Sequence, residues 1–142
     1  MASAADIYQH AIKTLAAEAT GHGTLESPSA RALADNPLCG DRVEMQVALT
    51  QGRITALAHQ VKGCLLCRAA AAVIGKRAIG ADRDEVERIG AAVSALLRSP
   101  SEPPPGWEEL AVFAPVHGHP SRYRCVQLPF EALAEALAIT DR

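Results

Sequence analysis

The sequence predicts a single α+β domain spanning residues 1–142, and three observations predict it. A chain of 142 residues that is 49% hydrophobic is long enough to bury one core. Val43, Met45, Val47 and Leu49 alternate with Arg42, Glu44, Gln46 and Ala48, which is the period of a strand with one buried face. On both sides of that stretch the apolar residues recur at helical spacing instead.

Taken in order, Ser3 and Asp6 have the spacing of a capping box, with Asp in place of the usual Glu. Ile7, Ala11, Leu15 and Ala19 follow at every fourth position and predict a helix to about Ala19. Thr20 to Ser29 is a loop by its Gly, Pro and Ser content, and Ala30 to Ala34 reads as a short strand or extended segment. The strand over 42–49 meets a turn at Thr50-Gln51-Gly52-Arg53, and Ile54 to Val61 is its antiparallel partner. Such a hairpin brings Cys39-Gly40-Asp41 and Gly63-Cys64 to the same edge.

From Leu65 to Ile79 a helix is expected with Leu66, Ala69, Ala70, Val73 and Ile74 inward; Gly75 weakens it and Gly80 stops it. Asp82 with Glu85 opens another, carrying Val86, Ile89, Val93, Leu96 and Leu97 on one side and Arg98 in its last turn. Ser99 to Gly106 is a proline-rich connector. Trp107 to Phe113 predicts one or two helical turns that set Trp107 or Phe113 on the core, and Ala114 to Pro120 a loop. A final helix is expected over Phe130 to Leu137. Pro129 fits only its first turn, so Cys125 falls just before or at its start.

Composition narrows the function. Fourteen basic against 16 acidic residues, net charge -2, and 4% aromatic content argue against nucleic acid as a partner. The start of the chain has neither a basic nor an apolar leader segment. The apolar run between Arg68 and Lys76 is too short to span a bilayer, so no membrane partner and a cytoplasmic location are expected. In that reducing compartment four cysteines read as metal ligands or reactive thiols rather than disulfides.

The chemistry concentrates in Asn36-Pro37-Leu38-Cys39-Gly40-Asp41, where a thiol and a carboxylate flank a glycine that permits a tight bend. Soft sulfur beside a carboxylate oxygen suits a transition metal. Cys39, Cys64 and Cys125 all fall at element junctions, where helix N-termini favour the thiolate. Against this stands the plain alternative that buried cysteines are small hydrophobes. Cys67 completes a Cys64-x-x-Cys67 pair and carries three readings: packing under the helix, a replacement fourth ligand, or a redox partner of Cys64. His117 and His119 flank a glycine upstream of Cys125 and read either as side chains that reach the site or, the commoner case, as a solvated loop; His59 reads as exposed on its strand. His10 and His22 carry no specific signal. Arg122 and Arg124 read as solvated or locally paired, with the capacity to hold anionic sulfur or an acidic partner. Arg83 and Glu87 read as surface.

Asn36-Pro37-Leu38-Cys39-Gly40-Asp41-Arg42-Val43, Gly63-Cys64 and Ser121-Arg122-Tyr123-Arg124-Cys125 resemble the IscU/SufU/NifU N-terminal family of iron–sulfur assembly proteins, from about Asp6 to Leu137. The long interval before the third cysteine and the basic residue preceding it resemble the SufU branch most. The resemblance implies a SufE/IscU-like α+β fold, an antiparallel three-stranded sheet with helices on one side and the metal site at one exposed end. It implies Cys39, Asp41, Cys64 and Cys125 as ligands of zinc or a [2Fe–2S] cluster, and Cys39 or Cys125 as acceptor of persulfide sulfur. A cysteine desulfurase and acceptor proteins of the finished cluster are the implied partners. The chain departs from the family at Leu65-Leu66-Cys67-Arg68, where a serine-rich helix start is usual. Two other functions remain open: a thiol–disulfide oxidoreductase using Cys64 and Cys67, and a protein with a purely structural zinc.

Overall fold

The structure, a computed structural model, describes residues 4–38, 40–99 and 101–140. Helix α1 (Ala4–Glu18) leads to strands β1 (Ala30–Asn36), β2 (Asp41–Thr50) and β3 (Arg53–Lys62), which form one antiparallel sheet in the order β1-β2-β3. Helices α2 (Leu65–Arg77), α3 (Arg83–Arg98) and α4 (Tyr123–Thr140) follow, with 3-10 turns over Glu108–Gly118 and Pro120–Arg122.

The predicted hairpin is present. Gln51 and Gly52 both adopt left-handed backbone (φ 54° and 78°), the pair of conformations a two-residue turn needs to match the strand twist. Val43, Met45 and Val47 are fully buried and face the helices. Residues directly opposite in an antiparallel pair share a face, so Ala32 and His59, both paired with Met45, point inward as well. That corrects the reading of His59 as exposed: its accessible surface is 3%. A bulge between Ala48 and Leu49 shifts the alternation along β3, which brings Ile54 to the inner face opposite Leu49.

Helix α2 is the centre of the helical layer. Cys67, Ala69, Ala70, Ala71, Ala72, Val73 and Ile74 are all buried, because α1, α4 and the sheet enclose it on several sides. Alanines serve here because only short side chains permit that many close neighbours. The inward stripe of α1 holds Leu15, as expected, with Ile12 and Ala16 beside it, while Ala11 and Ala19 of the expected line are half-buried. The expected cap of this helix involves Ser3, outside the described residues. Asp82 does cap α3, its Oδ1 accepting the Glu85 amide at 2.8 Å.

Gly75 is not a weak point of α2. A Cβ there would stand 1.9 Å from the Thr20 carbonyl oxygen, so the glycine is what lets the loop after α1 lie against the helix. That loop then runs along the free edge of β3: the His59 amide donates to Gly21 and the Gly23 amide to His59, at 2.9 and 3.0 Å. The edge is thereby covered at His59.

Two expectations about the C-terminal third are corrected. The segment expected as loop over 114–120 continues the 3-10 turns, which bury Leu110, Phe113 and Val116, and both Trp107 and Phe113 reach the core. Helix α4 starts seven residues before Phe130, so Cys125 lies inside its first turn and Pro129 in its second. The missing proline amide would have served the Cys125 carbonyl alone, a small loss against the burial of Val126, Leu128, Leu133 and Leu137.

Candidate metal centre

Three elements end at one place. The β1–β2 connection is tied by Asn36, whose Oδ1 accepts the Leu38 amide at 3.3 Å and whose carbonyl accepts the Gly40 amide at 2.8 Å. Gly40 takes φ 78°, the left-handed conformation that the Cys-Gly-Asp spacing anticipates. Cys39 itself lies outside the described residues. Leu38, before it, is 97% exposed.

Asp41 opens β2 but turns its side chain inward, where it is 3% exposed. Its Oδ1 accepts the Cys64 amide at 3.0 Å. It lies directly over Gly63: a Cβ at that position would be 2.7 Å from Oδ1. Gly63 is therefore part of the site, a role its place before a cysteine only hinted at. The other oxygen, Oδ2, is buried and has no hydrogen-bond partner. A buried carboxylate oxygen left without a donor is costly.

Cys64 is the N-cap of α2, with extended backbone (φ -72°, ψ 171°) and no side-chain cap bond. It is half-buried. Cys125, 7% exposed, enters from the first turn of α4. That turn is anchored by Tyr123 Oη donating to the His117 carbonyl at 2.6 Å and by His117 Nδ1 donating to the Leu97 carbonyl at 2.9 Å. His117 is thus a brace rather than solvated. Arg124 ties the same turn to the strand before the Asn36 loop, donating to the Asp35 carbonyl at 3.3 Å, and pairs with Glu131 at 3.5 Å.

A carboxylate oxygen of Asp41 and the sulfurs of Cys64 and Cys125 all lie within 4.8 Å of one another. Donors around a tetrahedral zinc or iron stand roughly 3.5 Å apart, given bonds of about 2.0–2.3 Å. Small torsions of three short side chains cover that difference. The donor set fits such an ion on two counts, convergence and an otherwise stranded Oδ2. Positive ends of two helix dipoles, α2 and α4, meet there.

Cys67 does not join this group. It is wholly buried in the core one turn below Cys64. His119 and Arg122 line, with Cys64, Ile12, Leu66 and Val116, a cavity of about 400 Å³ beside the centre. His119, whose place upstream of Cys125 allowed it to reach the site, arrives through the 3-10 turns. Among the described residues no helix is long and apolar enough to cross a membrane.

A three-stranded antiparallel sheet backed by helices, with a carboxylate and two thiols converging at one end, defines a small domain built to present soft and hard donors together. The family model for the NifU-like N terminal domain matches residues 7–105, and the chain belongs to that family. It is 29% identical over 119 residues to the iron–sulfur cluster assembly scaffold protein IscU of Streptococcus pyogenes serotype M1, covering 82% of this chain and 73% of that one. With the protein of the same name from Thermotoga maritima it shares 21% over 136 residues, 96% of each. The crystal structure of the N-terminal part of a nitrogen-fixing NifU-like protein from Brucella abortus superposes with a TM-score of 0.89 at 29% identity, over 95% of this chain and 94% of that one. The fold is shared too with a putative iron–sulfur cluster assembly scaffold protein for the SUF system from Fervidobacterium islandicum, TM-score 0.84 at 21% identity, covering 95% and 99%. The α+β class, the three-stranded sheet and the family named from the cysteine motifs are thereby shown.

Proposed function

We propose that this protein is an iron–sulfur cluster assembly scaffold whose working donors are Asp41, Cys64, Cys125 and Cys39. The observation that carries the reading is the Asp41–Cys64–Cys125 convergence around a buried carboxylate oxygen that has no other partner. The family and the scaffold names of its relatives support it. In the resting protein the same three sulfurs and one oxygen suit zinc; in the working protein they hold a nascent [2Fe–2S] cluster as cargo.

Sulfur comes from the persulfide of a cysteine desulfurase. A scaffold thiolate attacks the outer persulfide sulfur, and the desulfurase thiolate leaves. Cys39 or Cys125 is the acceptor, and Cys125 is 7% exposed. Asp41 keeps the load transferable, because a carboxylate binds a soft site less tightly than a fourth thiolate would. Finished clusters pass to acceptor proteins.

The test is metal and acid-labile sulfide content of protein prepared without oxygen. We expect about one zinc per chain, or iron with matching sulfide. Cys64→Ser and Cys125→Ser lower retention at least tenfold, and Asp41→Ala lengthens the lifetime of a bound cluster. Wild-type protein that holds neither metal overturns the reading. A purely structural zinc is separated by chelation: one continuous apolar core joins the sheet, α2 and α4, so the chelated protein should keep its circular dichroism.

A further inference from the structure

Cys67 takes no part in the proposed donor group, yet it stands three residues after Cys64 in the first turn of α2. The N-cap and third helical positions face each other, which is why a capping box works at this spacing. Side chains three apart on a helix are about 5–6 Å from Cβ to Cβ, and a disulfide requires about 3.5–4.5 Å. Cys64 is outside the helix proper, with extended backbone, so it is not held at the helical spacing.

The surroundings of the two thiols differ. Cys64 is half-buried and forms part of the wall of the 400 Å³ cavity, whose floor is apolar (Ile12, Leu66, Val116) and whose mouth carries Arg122 and His119. Cys67 is 0% exposed, so a reagent in solvent cannot reach it and only Cys64 can. A cavity of this size, apolar with a cation at its mouth, takes part of a small carboxylate-bearing disulfide.

We propose that Cys64 has two mutually exclusive partners: the Asp41–Cys125 donor group, and Cys67, with which it forms a disulfide on exchange with a small anionic disulfide bound in this cavity. The first half rests on the metal-site reading above; the second does not. The Cys64 thiolate attacks one sulfur of R–S–S–R, forming Cys64–S–S–R and expelling RS⁻. The Cys67 thiolate then attacks the Cys64 sulfur, closing the Cys64–Cys67 bond and expelling the second RS⁻. Two protein thiols are oxidised, the small disulfide is reduced to two thiols, and the two thiol protons go to the leaving thiolates. A sulfur held in that bond has no anionic lone pair for a metal, and a Cys64 held by the metal is a weaker nucleophile that must leave it before it can bond Cys67. Loading and oxidation therefore exclude each other.

The experiment exposes reduced, metal-free full-length protein to glutathione disulfide, with and without zinc, and follows bridging by intact mass and differential alkylation of mapped peptides. We expect the Cys64–Cys67 bridge in the metal-free protein. Zinc at ten times its dissociation constant should slow bridging about tenfold. The bridged protein should take up no zinc until reduced. Cys67→Ala should stop at a glutathione adduct on Cys64, and Arg122→Ala should slow the reaction with glutathione disulfide but not with the cationic disulfide cystamine. A bridge from Cys64 to Cys125 or Cys39, or no Cys64 bridge at all, in protein that binds zinc overturns this inference and leaves the site reading standing. So does bridging at the same rate with and without zinc. Reduced protein that takes up neither zinc nor iron with sulfide overturns the site reading, and the exclusion with it.

Discussion

The two ends of helix α2 are built alike and serve different purposes. At each end a glycine admits something that any Cβ would block: Asp41 over Gly63 before the helix, the Thr20 carbonyl over Gly75 near its last turn. At each end a buried polar atom is left without a hydrogen bond, Asp41 Oδ2 at the first and His59 Nδ1 at the second. The resemblance stops there. Around Asp41 two sulfurs converge within 4.8 Å. Around His59 the neighbours include the Thr20 carbonyl, bonded to Nε2 at 2.8 Å, the His22 ring, edge-on at 6.4 Å between centroids, and the backbone of Ala71, with no thiol or carboxylate of the described residues converging. Among the described residues no other set of three donors comes together. An unsatisfied buried atom signals a ligand only where further donors share its direction; elsewhere it is a cost of fitting a polar residue into the core.

If that contrast is right, the two glycines fail differently. Gly75→Ala should have the largest effect. The intruding methyl meets backbone at 1.9 Å, and backbone on both sides is held, so loop and helix must part. We expect a loss of about 3 kcal/mol in urea denaturation, with zinc affinity of the folded protein unchanged. A loss under about 0.5 kcal/mol would mean that the loop is not seated on α2.

Gly63→Ala should reverse the pattern. The atom it meets, at 2.7 Å, is the end of a side chain that can swing away. Stability falls less, by about 1 kcal/mol. The swing breaks the bond from the Cys64 amide and re-aims the carboxylate, so zinc affinity falls about 10–100-fold, as when an orienting group near a metal is removed. Equal losses in both variants, on both measures, would erase the distinction between the two ends.

Much of this was legible in the sequence. The hairpin was, because alternation of apolar and polar residues has one cause; so was the Asp82 cap. The grouping of Asp41 with Cys64 followed from the hairpin. What stayed hidden has physical reasons. The stripe of α2 led by Ala69, Ala70, Val73 and Ile74 was legible, but not that Ala71 and Ala72 are buried as well, because a run of alanines does not show on how many sides a helix is enclosed. His59 looked exposed because it is polar; its register opposite Met45 was needed to place it inside. Gly75 reads as a helix breaker until the loop that it accommodates is in view. The 3-10 turns over Glu108–Gly118 have no amphipathic period, and Cys125 joined a helix one turn earlier than Pro129 suggested, since tertiary packing outweighed one missing amide.

The smallest effect concerns the far end alone. Burial holds the His59 imidazole below its ordinary titration range, against a weaker opposing pull from the Thr20 carbonyl, so the folded protein keeps it neutral. Above about pH 6.5 the ring is neutral folded or unfolded, and acidity has no purchase on it. Below that, the unfolded chain takes up a proton that the folded one refuses, and stability falls with pH until the folded ring also titrates. One proton gives a slope of at most about 1.4 kcal/mol per pH unit. Carboxylates begin to titrate in the same acid range, so the quantity to measure is the difference between wild type and His59→Gln, by urea denaturation from pH 7.5 down to about 5. Wild type should lose more stability than the variant over that interval. Parallel curves would mean that the ring gains a proton as readily inside as out, and that its buried Nδ1 has a partner after all.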